Sequence, residues 1–428
     1  ATLALLKGKT LIPLKKTHSE VPGKFKAGGQ CLAKETFIQS FDGNILQIKD
    51  THNPLVVKSM SQDHSSLTDS PITEKWDVPK SKTYIITTKY PRLQIEASKD
   101  HIFFVRTNQG IIEKAAEELR ENDYLIMPEQ IPIEGKTQAL KSWQYYNSFQ
   151  INKDGQSLLK NKREEKNLLQ RELAKIIETT QTTISSYEMG KLNAERIPLL
   201  KLCTALEIDF YDFLQKYTTP HLYRDIKLPL ELDQTFARFL GYLIGDGSME
   251  KDRITFFEQD KEVALSYQNE YEKYFSMNIT YRFRNSKNYH QLRFTSRPLV
   301  RLVQNEFPEI KKSVDSTIPQ KILLSQNIVL AGFLKGLFDA DGYVSRSRIG
   351  LGINNKHLAQ QVQLALLRFG IIASLLEYDN RKNKYSKNHR YTVDISEKMS
   401  LILFKEHIGF SGSVKSKKLS EGIVQKTT

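Results

Sequence analysis

Hydrophobic and polar positions follow different periods in different parts of the chain. From Cys31 to about Pro128, apolar and polar residues alternate in short runs such as TFIQSF, NILQIKD, TYIITTKY and HIFFVRT, with turn residues between the runs. Alternation with a period of two is typical of strands that bury one face. We therefore predict a small all-β unit here, interrupted by one short helix in the segment EKAAEELREN.

The period changes to that of a helix after a connector at 131–159. Between 160 and 217 the apolar residues recur every three or four positions, which predicts an all-α segment. The residues that carry this pattern are Leu168, Leu173, Ile176, Ile177, Ile184, Leu199, Leu200, Leu202 and Leu206. Cys203 falls among these leucines, so we expect it to be an ordinary core residue. Prolines then interrupt the pattern, and 218–232 is predicted to be a linker.

The rest of the chain contains an internal repeat. FLGYLIGDG at 239–247 recurs as LKGLFDADG at 334–342, and each copy is followed by a predicted strand, a helix and two further strands. We therefore predict an α+β unit with pseudo-two-fold symmetry over 233–412. Such a unit suits a partner that is itself nearly two-fold symmetric, such as a DNA duplex.

Small residues lie four positions apart in each copy of the repeat, at Gly241 and Gly245 and at Gly336 and Ala340. Because this spacing leaves one face of a helix almost without side chains, two such helices are predicted to pack backbone to backbone. The repeat therefore predicts not only two helices but also the face on which they meet.

An aspartate followed by a glycine ends each copy, at Asp246 and at Asp341. The glycine suits a helix C-cap, whereas a carboxylate at this end of a helix opposes the macrodipole. Two such carboxylates side by side also repel each other, so a divalent cation such as Mg²⁺ would offset both costs and would activate water beside a phosphodiester. The alternative is a pair of capped core helices with incidental aspartates.

Composition narrows the class of partner. The chain has 428 residues, a net charge of +14 and a pI near 9.4, which favours a polyanionic partner such as double-stranded DNA, although a basic surface kept for solubility is an alternative. Two cysteines argue against a disulfide scaffold and for a reducing compartment, the cytoplasm. The sequence has no apolar run long enough to span a bilayer. It begins with Ala1, so we expect a fragment.

Basic residues interleaved with aromatic ones follow both copies of the repeat, and alternation on a sheet would turn one series towards DNA. In the first copy they are Arg282, Arg284, Lys287, Arg293, Arg297 and Arg301. In the second copy they are Arg381, Lys382, Lys384, Lys387 and Arg390. From these two series we select Arg282, Arg284, Arg293, Arg297, Lys384 and Arg390 as candidate DNA-binding residues. Surface charge without function is the alternative.

Residues 233–412 resemble the LAGLIDADG homing endonucleases, through both repeat copies and through the segments IPQKIL, HLAQQVQLALLRFGI and HIGFSGSVKSKKL. The resemblance implies a monomeric nuclease with Asp246 and Asp341 as catalytic, metal-binding residues. Two positions depart from the family. Ile244 stands where the first copy usually has an earlier acid, and Ser316 stands where a lysine that assists cleavage is common.

The helical segment resembles the helix-turn-helix of the Cro/repressor family over 160–217. The resemblance implies a first helix at Gln170–Ile176, a turn, and a recognition helix from Gln181 to about Tyr187 with Thr180 as its N-cap. It also implies that Gln181, Thr182 and Ser185 read base edges in a major groove, with Gln170 as support at the DNA backbone.

The turn of this segment departs from the family at Glu178, where glycine is usual. A left-handed conformation there would cost about 1–2 kcal/mol, so we expect the turn to be reshaped. The alternative for the whole segment is a helical spacer without a DNA-binding role.

Residues 31–130 resemble the N-terminal part of an intein's splicing (Hint) domain, through CLAKETFIQSFDG and the Ser98-Lys99-Asp100-His101 segment, where serine replaces the usual threonine. The resemblance implies an acyl shift at the Gln30–Cys31 splice junction. The Cys31 thiolate attacks the carbonyl of Gln30, His101 protonates the departing nitrogen, and Ser98 holds the scissile amide.

Residues 1–30 resemble the middle domain of archaeal and eukaryotic class-I peptide chain release factors, through the basic loop that ends in Gly28, Gly29 and Gln30. We therefore expect a release-factor gene that is interrupted by an intein after its Gly-Gly-Gln codons. Splicing also needs a His-Asn pair, and 389–428 contains no asparagine. We accordingly expect that 413–428 is a truncated segment and that the partners include a C-terminal intein half with its C-extein. The ribosome-binding host release factor would exist only after splicing.

These observations favour three modules: an incomplete all-β Hint domain, an all-α helix-turn-helix and an α+β pseudo-two-fold LAGLIDADG endonuclease. A DNA-binding protein with a decayed nuclease and no splicing activity is the rival interpretation. A translation factor is excluded for this polypeptide, because thirty residues of such a factor cannot terminate translation.

Overall fold

The computed structural model describes residues 31–52, 54–61, 66–78, 83–221, 226–311, 315–379 and 389–426. These residues form two compact units. The first unit comprises the described residues within Ala1–Gln138, Gln234–Gly245 and Glu309–Thr428, and the second comprises those within Ala139–Asp233 and Asp246–Pro308. The release-factor-like segment lies outside the described residues.

Strands and helices are named here in chain order. The strands are β1 Phe37–Gln39, β2 Ile45–Gln47, β3 Leu55–Met60, β4 Leu67–Ile72, β5 Thr83–Thr87, β6 Gln94–Ser98, β7 Ile102–Thr107, β8 Gly110–Ala115, β9 Tyr124–Leu125, β10 Ser148–Ile151, β11 Ala194–Glu195, β12 Thr218–Pro220, β13 Gly247–Met249, β14 Arg253–Glu258, β15 Thr280–Arg284, β16 Tyr289–Thr295, β17 Gly342–Ser345, β18 Arg348–Ile353, β19 Ser374–Tyr378 and β20 Arg390–Ile395. The α-helices are α1 Lys153–Glu165, α2 Gln170–Ile176, α3 Gln181–Glu188, α4 Arg196–Ala205, α5 Phe210–Tyr217, α6 Gln234–Asp246, α7 Lys261–Phe275, α8 Arg297–Glu306, α9 Gln320–Leu323, α10 Asn327–Asp341, α11 Lys356–Leu366, α12 Lys398–His407 and α13 Ser413–Gln425.

The first unit begins with small antiparallel sheets, as the alternating pattern predicts. β1 pairs with β2, β3 with β4, β5 with β6, and β7 lies between β8 and β9. Ile95 and Ala97 of β6 are buried at alternate positions, whereas Phe103, Phe104 and Val105 of β7 are buried in succession. Ile95, Ala97, Phe103 and Phe104 belong to one core, and burial of this apolar surface stabilises this part of the chain.

The helix predicted at EKAAEELREN is wrong. Its first residues belong to β8, where Ala115 pairs with Ile102 of β7, and only Ala116–Glu118 forms a turn of 3-10 helix. The Glu118 carboxylate accepts a hydrogen bond from the backbone nitrogen of Ala115, which closes that turn. Pairing with β7 thus overrides the helix propensity of the alanines and glutamates.

Each copy of the repeat folds into a helix followed by a four-stranded antiparallel sheet. The first sheet has the order β13-β14-β16-β15 and lies in the second unit, and the other has the order β17-β18-β20-β19 and lies in the first unit. Identical strand orders confirm that the two sequence copies are copies of one supersecondary structure.

The predicted helical segment is confirmed as α1 to α5 in the second unit. Antiparallel pairing of β10 with β12 joins its two ends, because Ile151 pairs with Thr218. Leu199, Leu202 and Cys203 are buried in the segment, and burial raises the pKa of the Cys203 thiol to about 12. Cys203 is therefore a core residue, as predicted.

Candidate functional site

Cys31 lies beside the end of β6 and is held by its backbone. The backbone nitrogen of Cys31 donates a hydrogen bond of 2.9 Å to Oγ of Ser98, and the backbone nitrogen of Ser98 donates one of 2.9 Å to the carbonyl of Cys31. Leu32 and Ala97 continue this pairing as an antiparallel bridge. The structure therefore brings together Cys31 and Ser98, as the sequence predicts.

His101 completes this cluster from a fully buried position. Its backbone nitrogen donates to the carbonyl of Ser98 over 3.1 Å, and its ring lies edge-on to Phe103. Neither ring nitrogen has a hydrogen-bond partner among the described residues. Burial lowers the pKa of His101 to about 4, so the imidazole is neutral at pH 7. A neutral imidazole can accept a proton at one nitrogen and donate one at the other.

A cavity of about 300 Å³ opens next to Cys31 and Ser98. Trp76 and Lys75 line its other side, and the Lys75 ammonium donates hydrogen bonds to the carbonyls of Lys49 and Thr51. The predicted junction residue Gln30 and the preceding Gly28 and Gly29 lie outside the described residues.

The repeat helices α6 and α10 approach each other backbone to backbone. A Cβ atom at Gly336 would lie 2.0 Å from the carbonyl oxygen of Arg238, and one at Gly241 would lie 2.0 Å from that of Phe333. Such distances leave no room for any side chain larger than hydrogen. The predicted small-residue contact between the helices is therefore confirmed.

Asp246 and Asp341 are the last residues of α6 and α10, and a strand follows each one directly. Gly342 is the C-cap of α10, as predicted, and its backbone is extended, with φ of −82° and ψ of 148°. Glycine is required there for space, since a Cβ would lie 2.3 Å from the carbonyl oxygen of Phe338. No group of three or more His, Cys, Asp or Glu side chains suited to a metal occurs in the described part of the chain.

Asp339 has a structural role that the sequence did not reveal. Its buried carboxylate accepts hydrogen bonds from the backbone nitrogen of Ser411, over 2.7 Å, and from Oγ of Ser411, over 2.6 Å. The Lys415 ammonium donates to the Asp339 carbonyl. This acid therefore anchors the chain before α13 to the end of α10. Ile244 occupies the equivalent position in the first copy. This difference between the two copies was the feature of the sequence that could have indicated a separate role for Asp339.

Ser316, which replaces the family's lysine, is fully buried. Its hydroxyl accepts from the backbone nitrogen of Lys311 and donates to the Lys311 carbonyl, each over 3.1 Å. Both hydrogen bonds tie the Ser316 side chain to the backbone of Lys311, so Ser316 is a structural residue here.

The first sheet carries its arginines on one face. Arg282 pairs with Gln291, and Arg293 pairs with both Thr255 and Thr280, so these side chains share a face. The residues of β14, β15 and β16 on that face are Arg253, Thr255, Phe257, Thr280, Arg282, Arg284, Tyr289, Gln291, Arg293 and Thr295. None of them is acidic, and the opposite face contributes Ile254, Phe256, Leu292 and Phe294 to the core. The predicted alternation is confirmed.

The second sheet is less basic on the corresponding face. Arg390 lies over Gly352, where a Cβ would come within 2.2 Å of its guanidinium, and Arg348 lies 3.8 Å from the carboxylate of Asp394. Lys384 lies outside the described residues. One acid therefore offsets part of the positive charge on this sheet.

Two arginines at α8 differ in their surroundings. Arg297 is exposed at the first position of the helix, whereas the Arg301 guanidinium donates to the carbonyl of Tyr145 and to Oδ1 of Asn147. Arg301 therefore fastens the helical segment to the first repeat within the second unit.

The helices α2 and α3 lie where the sequence predicts them, and the Thr180 hydroxyl accepts from the backbone nitrogen of Thr183 as an N-cap. Gln181 and Thr182 are exposed and Ser185 is half-buried. The Gln170 amide donates to the Glu188 carboxylate over 2.8 Å. Gln170 therefore also holds the two helices together.

Glu178 adopts the left-handed conformation, with φ of 58°, so the expected reshaping of the turn is wrong. An ion pair between its carboxylate and Lys201 holds the glutamate in place. The packing of α2 against α3 determines the path of the turn between them. The backbone strain of the left-handed conformation at Glu178 is therefore retained.

Two family models match the chain. The intein splicing domain matches residues 37–316, and the LAGLIDADG-like domain matches residues 329–409. In the structure, no helix among the described residues is long and apolar enough to span a membrane.

Curated relatives have names that differ from one another. The chain is 26% identical over 408 residues to a glutamine–fructose-6-phosphate aminotransferase of Methanocaldococcus jannaschii, with 93% of this chain and 36% of that protein covered. It is 33% identical over 194 residues to a replication factor C small subunit of the same organism, with 45% and 10% covered. A probable translation initiation factor IF-2 from that organism is 29% identical, with 78% and 27% covered. The chain thus spans about a third or less of these relatives.

Solved structures with some likeness include full-length DUF199/WhiA from Thermatoga maritima, at 16% identity and a TM-score of 0.33, with 46% of this chain and 61% of that one covered. I-DmoI in complex with DNA and Mn has 19% identity and a TM-score of 0.32, with 42% and 97% covered. The larger family match extends over most of the chain and includes Ser98 and His101. This protein therefore belongs to the intein splicing domain family and also contains a LAGLIDADG-like domain.

Proposed function

We propose that this protein is an intein-encoded homing endonuclease whose N-terminal splicing half begins at Cys31 and interrupts a release-factor gene. In this proposal the nuclease makes metal-dependent double-strand cuts at the uninterrupted gene. The splicing half activates the Gln30–Cys31 bond. The observation that carries the proposal is the hydrogen bond from Cys31 to Ser98, whose carbonyl accepts from the backbone nitrogen of the buried His101. Neither His101 ring nitrogen has a partner in the part of the chain that the structure describes.

This geometry suits an acyl shift from nitrogen to sulfur. The Cys31 sulfur attacks the carbonyl carbon of Gln30, the C–N bond breaks, and the thiol proton reaches the departing nitrogen. His101 is neutral at pH 7, so it can relay that proton rather than supply a net charge. Ser98 holds the nitrogen of the scissile amide, which orients the bond for attack.

The variety of relatives supports an insertion element. An aminotransferase, a replication factor subunit and an initiation factor match this chain only over part of their length. A segment that moves between genes would produce this pattern. We place the present insertion after Gly28, Gly29 and Gln30 because the flanking 1–30 resembles a release factor.

Full ligation requires a C-terminal intein half with a His-Asn pair, and we propose that such a segment with its C-extein is a partner. The host release factor would then bind the ribosome only after splicing. Because the reaction needs Cys31 as a thiol, we also propose a reducing compartment, the cytoplasm.

Two packed helices that end in Asp246 and Asp341 support the nuclease part of the proposal. Carboxylates at helix C-termini are disfavoured as anions unless a cation is present, and we propose that both bind Mg²⁺ or another divalent cation. The cation would supply an activated water and neutralise charge on the leaving oxygen. The nuclease would act as a monomer, since one chain carries both copies.

Double-stranded DNA is the proposed partner of two surfaces. One is the arginine face of the first sheet, with Arg282, Arg284 and Arg293. Arg297 at α8 and, in the second copy, Lys384 and Arg390 are further proposed DNA-binding residues. The other is the exposed side of α3, which we propose to be the recognition helix of a helix-turn-helix, with Gln181, Thr182 and Ser185 at base edges and Gln170 as its support. The domain boundaries given from the sequence are part of this proposal.

The rival interpretation is a DNA-binding protein with a decayed nuclease. Burial of Ser316 favours it, because that residue cannot replace the lysine of the family. Loss of the earlier acid at Ile244 removes a structural anchor rather than a second metal ligand, because its counterpart Asp339 is buried against Ser411.

One experiment separates the two. The purified protein is incubated with a plasmid that carries the uninterrupted release-factor gene, with Mg²⁺ or with EDTA. We expect linear product only with Mg²⁺, and we expect Asp246→Asn and Asp341→Asn each to abolish cutting while binding persists. Bound but uncut plasmid with the wild type would support the decayed nuclease. Cutting by the double Asn variant would exclude the aspartates as catalytic residues.

A further inference from the structure

Arg92, in the splicing segment 31–130, is hydrogen-bonded to the edge of the second repeat's sheet. β19 is the edge strand of that sheet, and the contacts are to its first two residues. The backbone nitrogen of Arg92 donates to Oγ of Ser374 over 2.9 Å, and the Arg92 carbonyl accepts from the backbone nitrogen of Leu375, also over 2.9 Å. The buried Gln363 amide donates to the same carbonyl.

A short, extended stretch connects this contact to the splicing cluster. Arg92 is followed by the buried Leu93 and then by β6, which ends at Ser98. At a strand's rise per residue, Arg92 and Ser98 are about 20 Å apart. A register slip of one residue in β6 would turn its core residues to solvent. Because this slip is costly, a displacement of Arg92 along the strand direction would also displace Ser98.

Other buried hydrogen bonds in the first unit also join 31–138 to the second repeat. The Gln361 amide accepts from the backbone nitrogen of Ile318 and donates to the carbonyl of Ile45. The backbone nitrogen of Ile131 donates to the carbonyl of Leu367. Breaking these buried hydrogen bonds would leave polar groups without water, so the arrangement is held in place.

We infer that Ser374 is a positioning residue for the reaction at Cys31. The Ser374 hydroxyl fixes the start of β6, and β6 in turn fixes the Ser98 hydroxyl that holds the Cys31 amide. Part of the endonuclease fold is thereby a structural component of the splicing site. This inference rests on the proposed role of Cys31, but its first test does not.

The test compares Ser374→Ala with Ser400→Ala in the full chain. Ser400 is a matched control, because it is also buried in this repeat and its hydroxyl accepts from the backbone nitrogen of Ile372 and donates to the Glu397 carboxylate, yet among the described residues its side chain forms no hydrogen bond with 31–130. Amide hydrogen exchange is measured on peptides that cover 31–33 and 94–101. We expect Ser374→Ala to raise exchange there by about 2- to 12-fold, as for the loss of one neutral hydrogen bond, and Ser400→Ala to leave it unchanged.

A second readout uses thiol-dependent release of 1–30, measured with a complementing C-terminal fragment. We expect Ser374→Ala to lower the rate at saturating thiol without changing the thiol concentration that gives half of that rate, and Ser374→Thr to restore it. Equal exchange in Ser374→Ala and wild type, or an equal rise in both alanine variants, would overturn the inference. Absence of release from the wild type would instead contradict the proposed function of Cys31.

Discussion

The Ser98 hydroxyl accepts a hydrogen bond of 2.9 Å from the backbone nitrogen of Cys31, and this contact joins Cys31 to the end of β6. A nitrogen that donates in this way is held in one orientation, which restricts the geometry in which the amide before it can react. Ser98 is buried, which strengthens the hydrogen bond relative to one in water.

We predict that Ser98→Ala slows thiol-dependent release of 1–30 by about tenfold or more, because a buried, orienting hydrogen bond is lost. Ser98→Thr keeps the hydroxyl and should retain most of the rate. Release is followed by electrophoresis after addition of a thiol and a complementing fragment. Ser59→Ala is the control, since Ser59 is equally buried and bonds to Ser70 away from Cys31. Equal rates for Ser98→Ala and wild type would remove Ser98 from the reaction.

Burial of His101 predicts a pH-dependent stability. The pKa of His101 falls from 6.5 to about 4 in the folded protein, so between these values only the unfolded chain takes up a proton at this site. The contribution of the neutral ring to the free energy of unfolding is therefore fully present above about pH 6.5. It is lost as the pH falls towards 4, and the loss is at most about 3 kcal/mol. The free energy of unfolding is measured by chemical denaturation of the wild type and of His101→Gln at pH 7, 5.5 and 4.5.

His101→Gln should show a flatter pH dependence than the wild type over that window. His290 and His357, whose pKa values burial also lowers, contribute equally to both proteins and cancel in the comparison. Parallel curves for the two proteins would mean that His101 is solvated in the folded state.

The close approach of α6 and α10 predicts that Gly336→Ala is severely destabilising. Its new Cβ would lie 2.0 Å from the carbonyl oxygen of Arg238, and backbone cannot move aside as a flexible side chain can. We expect a loss of about 3 kcal/mol or more in the free energy of unfolding, at or beyond the upper end for overpacked cores. Denaturant unfolding is the measurement, with Ile328→Ala on the exposed side of α10 as control. Similar losses in both variants would contradict the packing.

The sequence predicted the features that depend on local periodicity or on residue size. Gly241 and Gly336 identified the helix contact, and the alternation around Arg282 identified the solvent face of a sheet. The sequence did not reveal contacts between distant segments. Ala115 joined a strand because of its partner Ile102, and Arg92 lies against Ser374 across 282 residues of chain. Hydrogen bonds of this kind depend on tertiary arrangement and leave no periodic signal.

The arginine face of the first sheet is expected to contribute more to the electrostatic part of DNA binding than the corresponding face of the second sheet. Arg282→Ala should weaken binding similarly on all sequences and reduce the slope of log K against log salt by about one, as expected for one lost phosphate contact. Binding is titrated at several salt concentrations. Arg348→Ala is the comparison in the second sheet, where Asp394 already pairs with the arginine, and its effect should be smaller. A larger slope change for Arg348→Ala would reverse the assignment of the two faces.

Substitutions of two glutamines in the helical segment are expected to have different effects, one on DNA affinity and the other on stability. Gln181 is exposed at the start of α3, and its side chain forms no hydrogen bond with any described residue, so Gln181→Ala should leave thermal stability unchanged and reduce affinity by about 1–3 kcal/mol at one base position. Gln170 donates to Glu188, which also pairs with the buried Arg163. Gln170→Ala should therefore lower the stability of the second unit by about 1–2 kcal/mol, since a hydrogen bond to a charged group is lost.

Measuring both variants by thermal unfolding and by binding to a set of single-base-substituted duplexes separates recognition from packing. A recognition helix at Gln181–Glu188 would be supported by two results together. Gln181→Ala would lose discrimination at one base pair, and Gln170→Ala would at most lower the affinity for all duplexes by the same factor. If neither variant changes base preference, and deletion of 160–217 leaves the DNA footprint as it is in the wild type, α3 is part of a spacer. The exposed Gln181 and Thr182 would then be solvated surface, and the arginine face of the first sheet would account for DNA binding on its own.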